Sequence, residues 1–398
     1  MPIRTLLDLD LTGRRVFVRA DLDVALTPAG GLADPSRLEQ ALPTLKHCLE
    51  LGCRVVLGAT LGRPQGRPDP KLSLEPVAAF LAESLRRDVL LTDEPIGDGA
   101  RKVVADVREG QLAVLENLAF SPGEAANDDG FARALAAYAD VYVNDAYALG
   151  HLAYASTVGM VRHFTDRCAG LVMERELSIM GQLRGELLRP AYAVIGGANV
   201  NEKMGALDGL LGRFDAIYMG GAMANTFLRA RGGHLGRSMR DDDKLATARF
   251  FLRKADDRGV RVHLPKDLVA APGVRSETGR VVPAMDVPDE LVALDIGPET
   301  QRRYAEDLSR ARTVFWNGPM GAYEYTPFAE GTREVARAIG RAVGAFTVVA
   351  GGDSALAVRR AGTADRFTHV SAAGPATLRA LEGKSLPAIS ALESPVAA

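Results

Sequence analysis

Short strand-like runs alternate with helix-like segments along this chain, and that alternation constrains the fold more than any other feature. The β-branched runs at 15–19 and 54–57 enclose a segment, 37–51, whose apolar residues recur with helical period. Further strand-like runs follow at 112–115 and 140–143. Strands that alternate with helices build βαβ units, in which the strands pair in parallel. The first part of the chain is therefore predicted to form a mainly parallel sheet covered by helices.

The same pattern occurs a second time after a longer helical stretch. That stretch runs from Cys168 to about Leu183, and strand-like runs resume at 192–195, 216–219, 260–264, 313–316 and 346–349. A chain of 398 residues is long enough for about two or three domains. We therefore predict an α/β fold with two doubly wound parallel-sheet domains joined by a hinge helix. The predicted boundaries are 1–167 for the first domain, 168–185 for the helix and 186–375 for the second domain, with the tail 376–398 packing back on the first.

Charge and composition exclude several classes of function. Lys and Arg number 48 against 50 Asp and Glu, which gives a formal net charge of -2 and no positive field for nucleic acid or an anionic membrane. The first residues lack the apolar core of a signal peptide, and no run reaches the roughly 18 apolar residues of a membrane span. The three cysteines fit neither a zinc site nor a redox pair. We expect a cytoplasmic monomer that acts on a small molecule.

Glycines follow four of the strand-like runs in the second half. They are Gly196-Gly197, Gly220-Gly221, the loop 317–321, and Gly351-Gly352 before Asp353 and Ser354. Ligands of parallel sheets bind beyond the carboxyl ends of the strands, where glycine lets the backbone approach closely and helix starts present free N–H groups. Together these loops predict one anion cleft suited to a nucleotide polyphosphate, although any single pair is also explained as a tight turn. No P-loop and no Rossmann glycine motif is present.

Several ordered motifs carry a resemblance to a known family. They are VRADLDV at 18–24, LGRP at 61–64, ENLAF at 116–120, ADVYVNDA at 139–146, GGANVNEK at 196–203, WNGPMGAYE at 316–324 and GGDSALAV at 351–358. In this order, from Val16 to Leu392, they resemble the phosphoglycerate kinases. The resemblance implies two hinged α/β domains, a carboxylate site on the first, a nucleotide site on the second, and reversible phosphoryl transfer between an acyl phosphate and ADP with Mg²⁺, as in glycolysis.

The nucleotide site implied by this resemblance is well preserved. Lys203 would contact the nucleotide phosphates, Glu324 the ribose hydroxyls, and Asp353 the metal ion, for which a carboxylate is a suitable hard ligand. A solvated Lys203 and a helix-capping Asp353 are the alternatives. The full predicted set for ATP or ADP is Gly196, Gly197, Asn199, Lys203, Gly220, Gly221, Asn317, Pro319, Glu324, Gly351, Gly352, Asp353 and Ser354.

The carboxylate site implied by the resemblance is altered. Its family pattern keeps Asp21, Arg37, Arg63 and His151, but four basic positions and one Asn are replaced; the replacements are Thr60, Ala119, Leu152, Tyr154 and, for the Asn, Asp23. Two lost Arg contacts alone would cost roughly 3–6 kcal/mol. We predict that Asp21, Asp23, Arg37, Thr60, Arg63, Ala119, His151 and Leu152 line a site for a carboxylate without the distal phosphate, with the two Asp residues holding an amine. Alternatively, those Asp residues only turn the chain after a strand.

The transfer centre is altered as well, which leaves three functional hypotheses. The family's lysine at the migrating phosphoryl group is Asn199 here, and the last glycine-rich helix start carries Pro375 after Gly374, so one N–H donor is missing. Arg37, Lys203 and Gly374 are the predicted catalytic residues. We favour a kinase for another carboxylate, which could pass the acyl phosphate to an amine. The alternatives are a working phosphoglycerate kinase and a nucleotide-binding protein without catalysis.

Overall fold

The computed structural model describes residues 3–198 and 200–393, and in it the chain divides into two compact units. The first unit ends at Ser178 and takes up the chain again from Ser385, whereas the second comprises Ile179–Lys384. The chain thus rejoins the first unit at Ser385, later than position 376, where the predicted tail begins. The division at Ser178 falls within the predicted interdomain segment 168–185.

The first unit is built on a six-stranded parallel sheet. Its strands are β1 (Arg15–Ala20), β2 (Arg54–Gly58), β3 (Val89–Leu91), β4 (Leu112–Val114), β5 (Val141–Asp145) and β6 (Asp166–Ala169), in the spatial order β3-β4-β2-β1-β5-β6. Its helices are α1 (Ser36–Glu50), α2 (Glu75–Leu85), α3 (Asp98–Asp106), α4 (Pro122–Ala125) and α5 (Asp129–Ala136), while α6 (Leu171–Arg184) runs on into the second unit.

Alternation along β1 explains why helices cover both faces of this sheet. Val16 and Val18 join the cluster that packs under α1, whereas Phe17, between them, joins the opposite cluster with Tyr142 and Phe131. Successive strand residues point to opposite faces, so the three consecutive apolar residues Val16, Phe17 and Val18 require burial on both sides of the sheet. Each such side chain contributes about 1.5–3 kcal/mol on burial. A layer of helices on each face follows from this sequence.

The second unit repeats the plan with a different strand order. Its parallel sheet contains β7 (Ala191–Ile195), β8 (Ala216–Met219), β10 (Arg261–His263), β15 (Thr313–Asn317), β16 (Phe346–Ala350) and β17 (His369–Ser371), in the order β10-β8-β7-β15-β16-β17. Its helices are α7 (Val200–Leu210), α8 (Gly221–Ala230), α9 (Leu245–Asp257), α10 (Pro298–Leu308), α11 (Glu330–Gly340), α12 (Gly352–Arg360) and α13 (Gly374–Leu381). A last helix, α14 (Pro387–Glu393), belongs to the first unit, where the Ala388 N–H donates to Gly150 O at 3.2 Å.

Two small sheets in the second unit were not predicted. An antiparallel sheet joins β12 (Arg280–Pro283), β11 (Asp267–Ala271) and β14 (Val292–Ile296), and β13 (Asp286–Val287) pairs with β9 (His234–Leu235). β12 and β13 are short and mostly exposed, so they lack the continuous apolar run of a strand in the main sheet.

The predicted fold class is confirmed: both units are parallel-sheet α/β structures. Within the described residues, none of the helices has the length and apolar character needed to cross a membrane. In each main sheet the strand order reverses direction once, between β1 and β5 in the first unit and between β7 and β15 in the second. Such reversal points are where open α/β sheets bind ligands, beyond the strand carboxyl ends.

Candidate active site

The glycine loops of the second unit meet at its reversal point. The Gly196 N–H donates to Asn317 O at 2.9 Å, and the Gly197 N–H donates to Pro319 O at 2.7 Å, so the loops after β7 and β15 are in backbone contact. A Cβ on Gly196 would overlap the Pro319 carbonyl oxygen, and one on Gly221 would lie 2.7 Å from Gly197 N. Only glycine allows this approach, which leaves a backbone-lined cradle at the strand ends.

Lys203 lies inside this cradle rather than in solvent. Its side chain extends from α7 and Nζ donates to Gly196 O at 2.5 Å, with only 8% of the residue exposed. Burial lowers the pKa of Lys203 to about 8, and the nearby charge of Asp353 opposes that shift. The structure therefore excludes a solvated Lys203. A buried ammonium that faces glycine backbone is suited to receive an anion, which would stabilise its charged form and raise its pKa.

Asn317 and Ser354 connect the loops after β15 and β16. Asn317 Nδ2 donates to Ala350 O at 2.6 Å, and the Gly318 N–H donates to Ser354 Oγ at 2.6 Å. The Oδ1 atom of Asn317 is buried without a hydrogen-bond partner. Buried acceptors are nearly always satisfied, so this atom indicates a donor that a ligand or water supplies.

Asp353 stands in the first turn of α12, directly after Gly351 and Gly352. Gly351 has a φ of +115°, a conformation that favours glycine, and it turns the chain so that α12 starts at the cradle. Asp353 is exposed and hydrogen-bonds to Tyr323, whose pKa is raised by burial and by the charges of Asp353 and Glu324. Glu324 is exposed at the same rim.

These residues fit a nucleotide with its metal ion. The cradle supplies backbone donors and one ammonium for phosphates, and Asp353 supplies one carboxylate. Among the described residues, no group of three or more potential ligands could hold a metal ion by itself. Mg²⁺ is usually held by one or two carboxylates together with substrate phosphates, so a single carboxylate beside a phosphate cradle matches that need.

The start of α13 completes the cradle but offers few donors. A Cβ on Gly374 would lie 2.9 Å from the Gly351 Cα, so the two helix starts are adjacent. The Gly374 N–H already donates to Ala372 O at 3.0 Å, and Pro375 has none. Asn199, predicted at the transfer centre, lies outside the described residues. All other predicted nucleotide residues occupy the loops of this one cradle or its rim.

In the first unit, Arg37 is held by an acidic partner. Arg37 Nη1 lies 2.7 Å from Asp21 Oδ2, and the two side chains are 25% and 12% exposed. The Asp23 carboxylate accepts the Gly62 N–H at 2.8 Å. Both carboxylates therefore have partners within the chain, and the charge of Arg37 is compensated before any ligand binds.

The other predicted substrate residues lie in the segments that follow β2, β4 and β5. Thr60 is 8% exposed and accepts from Arg19 Nη2 at 3.3 Å, and Ala119 O accepts the Gly66 N–H at 3.2 Å. His151 Nδ1 lies 3.1 Å from Ala148 O. Arg63 is exposed and forms no ion pair within the part of the chain that the structure describes; Leu152 and Tyr154 are half-buried.

A buried ionic network beneath these loops was missed by the sequence analysis. Arg19, fully buried, donates from Nε to Ser156 Oγ at 2.7 Å and lies 3.7 Å from Glu124 Oε1. Ser156 in turn donates to Glu124. Burial raises the pKa of Glu124, and the positive charge of Arg19 opposes that shift. Arg19 thus ties the loop after β2, through Thr60, to the loop after β5, through Ser156. A charged residue inside an otherwise apolar strand was the available signal.

Taken together, the cradle and the two parallel sheets define a phosphotransferase-class α/β protein that binds a nucleotide. The sequence profile described as Phosphoglycerate kinase matches residues 6–384. A phosphoglycerate kinase of Anaeromyxobacter dehalogenans (strain 2CP-C) is 46% identical over 396 residues, which are 99% of this chain and 100% of that protein. One of Pelotomaculum thermopropionicum is 44% identical over 393 residues, which are 98% of this chain and 99% of that protein. The chain belongs to the phosphoglycerate kinase family, whose members use ATP or ADP with Mg²⁺.

Solved structures agree with that assignment. A phosphoglycerate kinase from Coxiella burnetii has a TM-score of 0.84 and 34% identity, and the match covers 100% of both chains. One from Pyrococcus horikoshii OT3 has a TM-score of 0.89, 29% identity and 98% coverage of both chains. These findings support a working phosphoglycerate kinase better than the favoured hypothesis of another carboxylate.

Proposed function

We propose that this protein is a phosphoglycerate kinase that transfers a phosphoryl group between ATP and the carboxylate of 3-phosphoglycerate. The observation that supports the nucleotide half is Lys203, a buried ammonium directed into a glycine-lined cradle. The choice of reaction is supported by sequence identity, over nearly the whole chain, to relatives named phosphoglycerate kinase.

The reaction leaves the protein mainly positioning and electrostatic work. In the direction of acyl phosphate formation, a carboxylate oxygen forms a bond to the γ-phosphorus, and the bond to the β,γ-bridging oxygen breaks and leaves ADP. Lys203 and the first N–H groups of α12 would neutralise charge on the phosphate oxygens. Asp353 would hold Mg²⁺, which would offset the negative charge of the phosphate oxygens.

A coupled assay of ADP formation with ATP, Mg²⁺ and 3-phosphoglycerate tests this proposal. The expected result is saturable turnover that Lys203→Met lowers by at least about a hundredfold, since loss of a cation at the transferred group costs several kcal/mol. Lys102→Met is the control, because Lys102 is an exposed lysine on α3. Absence of turnover with the unaltered protein contradicts the proposal.

The compensated pair Arg37–Asp21 supports a second candidate, a kinase for a carboxylate without the distal phosphate. Asp21 compensates Arg37 in an ion pair, and Asp23 and Arg63, which are not paired with each other, add one formal charge of each sign, so the formal charges of these four residues cancel. A neutral site favours a ligand of lower negative charge. Turnover with hydroxylamine as trap, compared across glycerate, other small carboxylic acids and 3-phosphoglycerate, separates the two candidates. A higher kcat/KM for an unphosphorylated acid favours the second.

A further inference from the structure

The second unit contains another cavity, which none of the glycine loops lines. It measures about 510 Å³ and lies where β10 ends, between the end of α8 and the first turns of α10. Cavities of about 300–1,000 Å³ are the usual size for small-molecule sites. The phosphoryl transfer described above uses no residue of this cavity.

One wall of the cavity is apolar. Leu228 and Tyr304 are buried in it, and Val262 and Leu264 are partly buried beside them. Met285 completes the wall and is 44% exposed, a large fraction for a side chain of its type. Tyr304 is fixed in place because its hydroxyl donates to Met219 O at 2.9 Å and to His263 O at 2.8 Å. An apolar group could cover this wall and remove Met285 from water.

The rim of the cavity is basic. Arg231, Lys266 and Arg303 line it together with one carboxylate, Glu299. Lys266 Nζ lies 3.3 Å from Glu299 Oε1, so that carboxylate already has a partner. Arg231 and Arg303 are exposed and form no ion pair with any described residue. Two uncompensated guanidinium groups at one opening favour an anion, and their planar geometry suits a carboxylate or phosphate.

A buried polar atom in the lining lacks a partner. His263 lines the cavity, and its Nε2 atom is buried without a hydrogen bond. The ring cannot easily turn to find one, since it stacks on Tyr218 with the ring centroids 4.5 Å apart and the planes within 5°. Because Nε2 is shielded from solvent, a ligand in the open cavity does not reach it unless the ring moves, so the apolar wall and the basic rim are the features that point to a ligand.

From the apolar wall and the basic rim we propose that this cavity is a second ligand site, which takes a small organic anion, a carboxylate or phosphate carried on an apolar or aromatic group. The anion lies between Arg231 and Arg303, and the apolar group covers the wall of Leu228, Tyr304 and Met285.

Calorimetric titration with phenyl phosphate tests the proposal on the full chain, with Mg²⁺ and saturating ADP added beforehand to occupy the glycine-lined cradle. We expect binding of one phenyl phosphate per chain. The double variant Arg231→Gln, Arg303→Gln should bind phenyl phosphate about tenfold more weakly, because it loses two ionic contacts that are partly exposed to solvent. Arg302→Gln is the matched control, since Arg302 is an exposed neighbour on α10 that does not line the cavity.

Three results overturn the proposal: no saturable binding, equal affinity in the Arg231, Arg303 double variant, or inorganic phosphate binding as tightly as phenyl phosphate.

Discussion

Asp21 holds the guanidinium of Arg37 in a 2.7 Å ion pair, directly after the strand that leads into the first-unit site. The pair places a negative charge where an anionic substrate would approach. Its strength is moderate, because both side chains keep some contact with solvent.

Removal of that carboxylate should strengthen the binding of an anion. In Asp21→Asn, Arg37 loses its compensating charge, and the KM for 3-phosphoglycerate should fall by about three- to tenfold with little change in kcat. Steady-state kinetics measures this, with Asp88→Asn as control because Asp88 is exposed at the end of the loop before β3. An unchanged or higher KM would show that Asp21 does not oppose the substrate.

Restored cations should strengthen binding further. Ala119 and Leu152 are half-exposed positions in the loops of the site, and they replace arginines in the family pattern. With both changed to Arg, the KM for 3-phosphoglycerate should fall by about 10²-fold or more, since each charge-assisted hydrogen bond is worth about 1.5–3 kcal/mol. Ala153→Arg, at the exposed position directly after Leu152, serves as control. If the KM of the double variant matches that of the control, other residues determine the affinity.

The buried network of Arg19 should matter for the stability of the first unit. Arg19→Met leaves the Glu124 carboxylate buried without its cation, and it should lower the free energy of unfolding by about 3–5 kcal/mol. Adding Glu124→Gln should recover part of that loss, because no buried charge remains. Thermal unfolding followed by circular dichroism measures both, with exposed Arg101→Met as reference. Purely additive effects of the two substitutions would exclude the coupling.

The pKa of Lys203 predicts how stability depends on pH in the second unit. Its folded pKa of about 8 lies below the ordinary lysine value of 10.5, so the folded state binds fewer protons between these pH values. Below pH 8, burial of the charged lysine lowers the free energy of unfolding by about 3 kcal/mol. This loss disappears as the pH rises towards 10.5. The stability of the unaltered protein relative to Lys203→Met should therefore increase across this range.

Tryptophan fluorescence measures that difference in the second unit alone. The chain has one tryptophan, Trp316, which is fully buried on β15. Urea unfolding at several pH values between 7 and 10.5 gives the stability difference between the two proteins. A difference that stays constant with pH is incompatible with a charged lysine buried in the cradle.

The parallel sheets could be predicted from the sequence because continuous apolar runs require burial on both faces. The glycine cradle could also be predicted, since Gly196, Gly221 and Gly351 stand after strands whose carboxyl ends meet at one edge. Arg19 could not, because its partner Ser156 lies 137 residues away along the chain. The pairing of Arg37 with Asp21 was not foreseen either, since it depends on how α1 starts beside β1.

The most direct test of the account is ³¹P nuclear magnetic resonance on the protein with ATP, Mg²⁺ and 3-phosphoglycerate at comparable concentrations. The account predicts that resonances of ADP and of an acyl phosphate appear together at the expense of ATP, and that both appear at least about a hundredfold more slowly with Lys203→Met. ATP that binds to the protein but never yields an acyl phosphate would contradict it, and would leave a nucleotide-binding protein without transfer.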